Sequence, residues 1–213
     1  MRARSRLAAL GAAAVLTGTL LTGCSSAGTT AQEREAAVVH YEADYPTYAS
    51  AAEVVGASDV IVRGTVLSSR VEELWPQVST EGDPAANPQA GLGAQEAAAV
   101  QPVVVTVSTL QVTEVLKGTV TVGSTIEVSQ LGGQLAGRRY VDAGTTLLSK
   151  GAASEYVLLL ADHGAGAPLD LVNPAQGLFR VAGGTSLESV GGPEAGLGLA
   201  SVEGLKAEVA QQQ

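Results

Sequence analysis

Cysteine occurs once in these 213 residues, as Cys24. No intrachain disulfide can form, and a zinc site built on several thiolates is excluded. Stability must come from a packed core. Aromatic residues are scarce, with one Trp, one Phe and five Tyr. Stacking platforms of the kind that bind single-stranded nucleic acid or sugars are therefore disfavoured. Basic residues are few, 12 Lys and Arg against 21 Asp and Glu, and the net charge is −9. After residue 23, no two basic residues cluster except Arg138-Arg139. Nucleic-acid binding draws its affinity from phosphate neutralisation, so no nucleic-acid partner is expected. Electrostatic adhesion to anionic lipid is disfavoured for the same reason. The apolar stretch from Leu7 to Leu21 is short against the roughly 17–25 residues of a membrane helix.

That stretch has the length of a secretory h-region, and Arg2, Arg4 and Arg6 precede it. It ends in Leu21-Thr22-Gly23-Cys24. This run resembles the bacterial lipobox, leucine–small–glycine–cysteine. The resemblance covers residues 2–24 and implies diacylglycerol transfer to the Cys24 sulfur, followed by cleavage before Cys24. Residues 1–23 are then a lipoprotein signal peptide. Cleavage removes three arginines and takes the net charge from −9 to −12. Palmitate-type acyl chains on Cys24 would hold the protein to the cell membrane, on its extracytoplasmic face. Residues 24–47 read as a lipidated flexible tether. Its small, polar part, Ser25 to Val39, has a random-coil reach of about 20 Å. Tyr41, Tyr45 and Tyr48 follow; they either form a contact patch or staple the entering chain to the domain.

Residues 48–213 read as one domain. Ser50 with Glu53 has the capping-box spacing and predicts a short helix over Ser50–Ala57. Val60–Leu74 predicts a long, bent strand with a coil or bulge at Gly64. Pro102–Leu116 and Ser124–Leu131 predict two more strands. The unbroken apolar run Glu155–Ala161 predicts a central strand buried on both faces. Asp170–Val172 and Gly177–Val181 predict a hairpin or two closing strands. Val202, Leu205 and Val209 share one face of a C-terminal helix. Between Pro76 and Gln101 the composition turns to Pro, Gly, Ala, Gln and Glu without a period, which reads as a disordered insertion.

Ser58-Asp59-Val60-Ile61-Val62-Arg63-Gly64-Thr65-Val66, Glu114-Val115-Leu116-Lys117-Gly118, Tyr156-Val157-Leu158-Leu159-Leu160 and Gln176-Gly177-Leu178-Phe179-Arg180-Val181 together carry a second resemblance. The chain is similar to uncharacterised bacterial secreted proteins and lipoproteins with small β-barrels. More distantly it resembles the netrin-like barrel of tissue inhibitors of metalloproteinases. The resemblance spans about residues 50–182. It implies a mainly β fold: an OB-like five-stranded barrel with extra strands, a short N-terminal helix and a C-terminal helix. Those inhibitors chelate zinc through a free N-terminal cysteine held by disulfides. Cys24 is expected to be acylated, lacks partner cysteines and sits on the tether, so that activity is not carried over.

Catalytic motifs are missing. There is no Gly-x-Ser-x-Gly, no Ser-x-x-Lys and no His-Glu-x-x-His. Gly91-Leu92-Gly93, Gly164-Ala165-Gly166 and Gly196-Leu197-Gly198 complete no nucleotide-binding pattern. No metal or cofactor is expected. Asp162-His163, at the end of an apolar run, is the one pair that could serve a hydrolytic or metal-dependent enzyme; a solvated histidine is the alternative. His40 lies in the tether. Glu72 and Glu73 are adjacent on a strand and face opposite sides, so they share no site. Trp75 either anchors a partner or caps the barrel end. The sequence thus points to a lipid-anchored, non-enzymatic envelope module that presents loops 76–101 and 132–153 to an envelope protein partner. A hydrolytic enzyme at Asp162/His163 and a small-solute-binding lipoprotein are the alternatives.

Overall fold

β-Branched residues dominate two long segments, and both become fifteen-residue strands, Val60–Leu74 and Val103–Lys117. The computed structural model describes residues 36–75, 79–87, 89–151, 155–164 and 166–212, all within the unit Glu35–Gln213. Leu21, Thr22, Gly23 and Cys24 lie outside the described residues. In chain order the strands are β1 (Ala37–Tyr41), β2 (Val60–Leu74), β3 (Val103–Lys117), β4 (Thr125–Leu131), β5 (Gly133–Leu135), β6 (Arg138–Asp142), β7 (Glu155–Ala161), β8 (Leu169–Leu171), β9 (Leu178–Ala182) and β10 (Ser186–Ser189). The helices are α1 (Ala51–Ala57), α2 (Ala94–Ala98) and α3 (Val202–Ala210). The unit is mainly β, as expected. Among the described residues no helix is long and apolar enough to cross a membrane.

Five strands close a ring. β2 pairs antiparallel with β3, and β3 with β4. β8 then runs parallel to β4 and antiparallel to β7, which returns to β2. This is the partly open Greek-key barrel of OB type. Its closure is uneven, because β8 makes only two residue pairs with each neighbour: Val128↔Leu169 and Ser129↔Asp170, Leu160↔Leu171 and Ala161↔Asp170. β7 gives one edge to β2 and divides the other between β8 and β9. β8 and β9 are thus not a hairpin; β9 pairs instead with β10.

The alternation of β7 explains its continuous apolar run. Tyr156, Leu158 and Leu160 join Val62, Leu110, Val128 and Leu178 in one core cluster. Val157 and Leu159 point the other way and pack with Val54 and Val55 of α1, Phe179 of β9, and Val202, Leu205 and Val209 of α3. Each fully buried aliphatic side chain contributes about 1.5–3 kcal/mol relative to exposure. The helices are fixed locally. Ser50 Oγ accepts from Glu53 N at 3.2 Å, and Ser201 Oγ from Gly204 N at 3.1 Å. Lys117 Nζ donates to Val55 O at 2.8 Å, tying the end of β3 to the end of α1. The following Gly118 turns the chain at φ +94°, where a side chain would be strained.

Three expectations need correction. The tether read over 24–47 already contains β1, which pairs in parallel with β6. Tyr41 stacks on Tyr140 with ring centroids 5.8 Å apart, and its hydroxyl accepts from Val104 N at 2.9 Å. These contacts hold an otherwise exposed strand whose five residues are too few to show a period. The 76–101 insertion is not structureless throughout. It carries α2, and Asn87 Nδ2 donates to Ser79 O and Glu81 O. Loop 132–153 contains β5 and β6, which with β1 form a separate three-stranded sheet.

Candidate functional site

β3 and β4, the second and third ring strands, contribute Val103, Val105, Ser129 and Leu131 to one face of the barrel. β7 runs antiparallel to β2, so Ala161 lies at the end where β2 begins and Leu74 at the other. OB-type barrels bind ligands on the face of these two strands, flanked by the first–second and fourth–fifth connections. Here that face carries a cleft of about 460 Å³, with Leu74 and Ala161 both on its lining, a size suited to a small molecule. Val103, Val105, Leu131, Leu171 and Val172 make its apolar walls, and Tyr45, Pro46, Tyr48, Thr145 and His163 stand over them.

The overhanging walls have no ladder of their own. Side-chain amides replace one. Asn173, buried in the break between β8 and β9, donates from Nδ2 to Pro46 O at 2.9 Å. Its Oδ1 accepts from Ala175 N and Gln176 N, both at 2.8 Å. Gln176 clasps the backbone of Tyr48, accepting from its N–H and donating to its carbonyl, both at 2.9 Å. Gln130 on β4 does the same for the opposite wall, donating to Thr146 O at 2.8 Å and accepting from Leu148 N at 2.7 Å. Asn173→Ala removes three part-buried hydrogen bonds and unties the chain at Pro46 from the β8–β9 turn. It is expected to cost about 2 kcal/mol, measured as a lower urea midpoint with an unchanged slope.

One carboxylate, Asp170, lines the cleft, and a second, Asp142, lies behind Tyr45 and Thr145. Asp170 Oδ2 accepts from His163 Nε2 at 3.1 Å. Burial at the cleft wall pushes the Asp170 carboxyl above its usual range, against the opposite pull of His163 and Ser129. Asp142 Oδ2 accepts from Thr145 Oγ1 at 2.9 Å, from Gly144 N at 3.1 Å and from Tyr45 Oη at 3.3 Å. The Tyr45 phenol is raised by burial and by the negative charges of Asp142 and Asp170, although its bond to Thr145 works the other way. Both carboxylates therefore act on Tyr45, on the wall of the cleft. No Lys or Arg is among the described lining residues.

The sequence-derived candidates fare differently. Asp162 and His163 are neighbours in the chain but not partners. Asp162 Oδ1 accepts from Gly164 N at 2.9 Å in a local turn, and His163 pairs instead with Asp170, seven positions on. His40 is exposed on β1. Glu72 accepts from Arg70 Nε at 2.9 Å along the strand. Trp75 is 61% exposed, next to Leu74 at the end of β2, so it does not seal the barrel end. Of the tyrosines, all three staple the entering chain, and Tyr45 and Tyr48 also line the cleft. Asp142, Thr145 and Asp170 gave no sequence signal, because pairing between distant segments brings them to the cleft and its surroundings. No protein-family model matches the chain, and no curated protein matches it.

Proposed function

We propose that the protein is a lipid-anchored binding module of the bacterial cell envelope. Cys24 holds it on the extracytoplasmic face of the cell membrane, and it binds through the cleft without catalysing a reaction. The observation that carries the binding role is the position of the cleft. It lies on the β3/β4 face of the barrel, with Leu74 and Ala161 both on its lining and with apolar walls and few polar groups. Support for the anchor is the run Leu21-Thr22-Gly23-Cys24 behind an apolar segment of export length. Two acyl chains supply the stable attachment that an acidic surface cannot. Trp75, exposed next to the cleft residue Leu74, is the natural side chain for a partner to cover.

The test is metabolic labelling with an alkyne analogue of palmitate, followed by intact-mass analysis. The expected product begins at Cys24, carries the label and is extracted only with detergent. Cys24→Ala is expected to take up no label. An unmodified Cys24 thiol in a chain that retains residues 1–23 defeats the anchor. The binding role falls if neither apolar nor amphiphilic small solutes perturb the cleft residues.

A further inference from the structure

We propose that the cleft takes a small amphiphilic organic cation, an ammonium head on an apolar body, with the head at Asp170 and the body along Val103, Val105 and Leu131. The proposal rests on the reading of the cleft as a binding site and adds the ligand class. Three observations lead to it. First, the cleft holds about 460 Å³, enough to bury most of a small organic molecule and far more than a bare ion needs. Among the described residues no three His, Cys, Asp or Glu side chains converge as a metal site. Second, Val103, Val105, Leu131 and Leu171 give the cleft an apolar wall, so an apolar body gains by leaving water there. Third, the one carboxylate on the lining is Asp170, paired with His163, and Asp142 acts through Tyr45 and Thr145, with no Lys or Arg among the described lining residues.

Charge sign then decides between ligands. A carboxylate or phosphate would face Asp170, with Asp142 behind Tyr45 and Thr145, in a recess where screening is weaker than at an open surface. An ammonium head meets the reverse. His163 and Ser129 act on the Asp170 carboxylate from the protein side, and its exposed part can accept a charge-assisted hydrogen bond from an ammonium in the cleft. Tyr45 and Tyr48 line the same recess, and their rings attract a cation within about 6 Å. The long-range field of a chain with net charge −9 also favours arrival of a cation.

The experiment is a calorimetric titration of the mature, lipidated protein in zwitterionic nanodiscs, with empty discs subtracted. Phenylbutylamine, phenylbutanol and phenylbutyrate share one apolar body and differ in head charge. The amine is expected to bind about tenfold tighter than the alcohol, with the carboxylate weakest. Asp170→Asn should remove the amine's advantage over the alcohol, the two being compared within the same variant. Raising salt from about 0.1 M to about 1 M should shrink the amine's advantage in the unaltered protein, a readout that needs no variant to fold. Equal affinities for amine and alcohol, or a preference for the carboxylate, overturn the ligand class and leave the cleft as a binding site. No binding by any of the three removes the cleft reading and the ligand class together.

Discussion

Phe179→Ala is expected to destabilise the protein by about 3–5 kcal/mol. Phe179 is the only phenylalanine in the chain and is fully buried. It stands on β9 in the layer where β7 meets the helices, in one cluster with Val54, Val55, Leu159, Leu205 and Val209. Valines and leucines surround it, each held in place by a strand or helix. They cannot slide to refill the volume of a ring, so the cavity term adds to the lost transfer term. For a unit of this size the loss corresponds to a melting temperature lower by roughly 10–15 °C. α1 and α3 dock on the barrel through the same layer, so amide exchange in α3 should accelerate with it. Thermal melts with hydrogen exchange would measure both, and a cost below about 1 kcal/mol would show that this layer is not a packed core.

Gly64→Val should cost about 3 kcal/mol through a different mechanism. Gly64 lies mid-strand between Val112 on β3 and Tyr156 on β7. The register of β2 against β3 shifts between Arg63 and Gly64. A β-carbon there would stand 2.7 Å from Gln111 O, a backbone atom that cannot rotate away. The strand coils at this point to enter the ring, and glycine is what permits the close approach. Alanine should already be destabilising, and valine more so, with both seen as lower urea midpoints. Neutral behaviour of both variants would show that β2 does not need this approach to close the ring.

The pair His163–Asp170 marks where reading the chain alone falls short. Asp162 is adjacent to His163, yet its side chain turns to Gly164 N. Asp170 reaches His163 because β8 closes the ring between β4 and β7. Nothing within a window of a few residues contains that information. β1, β5, β6 and β10 are hidden for a related reason: at three to five residues each they are too short to show a period. β6 begins with Arg138-Arg139 and becomes a strand by pairing between β1 and β5.

What the sequence determined by itself is whatever local periodicity and composition control. Alternation set β2 at Val60–Leu74 and the doubly buried β7 at Glu155–Ala161. Cap chemistry and a single apolar face set α1 and α3. The lack of sulfur and the excess of acid limited how the fold can be held together and which partners suit it. Only the tertiary structure decided where the cleft lies, which carboxylate meets the histidine and how Asn173, Gln176 and Gln130 hold the walls. Those contacts join residues up to 128 positions apart. Their energy exists only once the ring has closed, so no short stretch of chain can encode them alone.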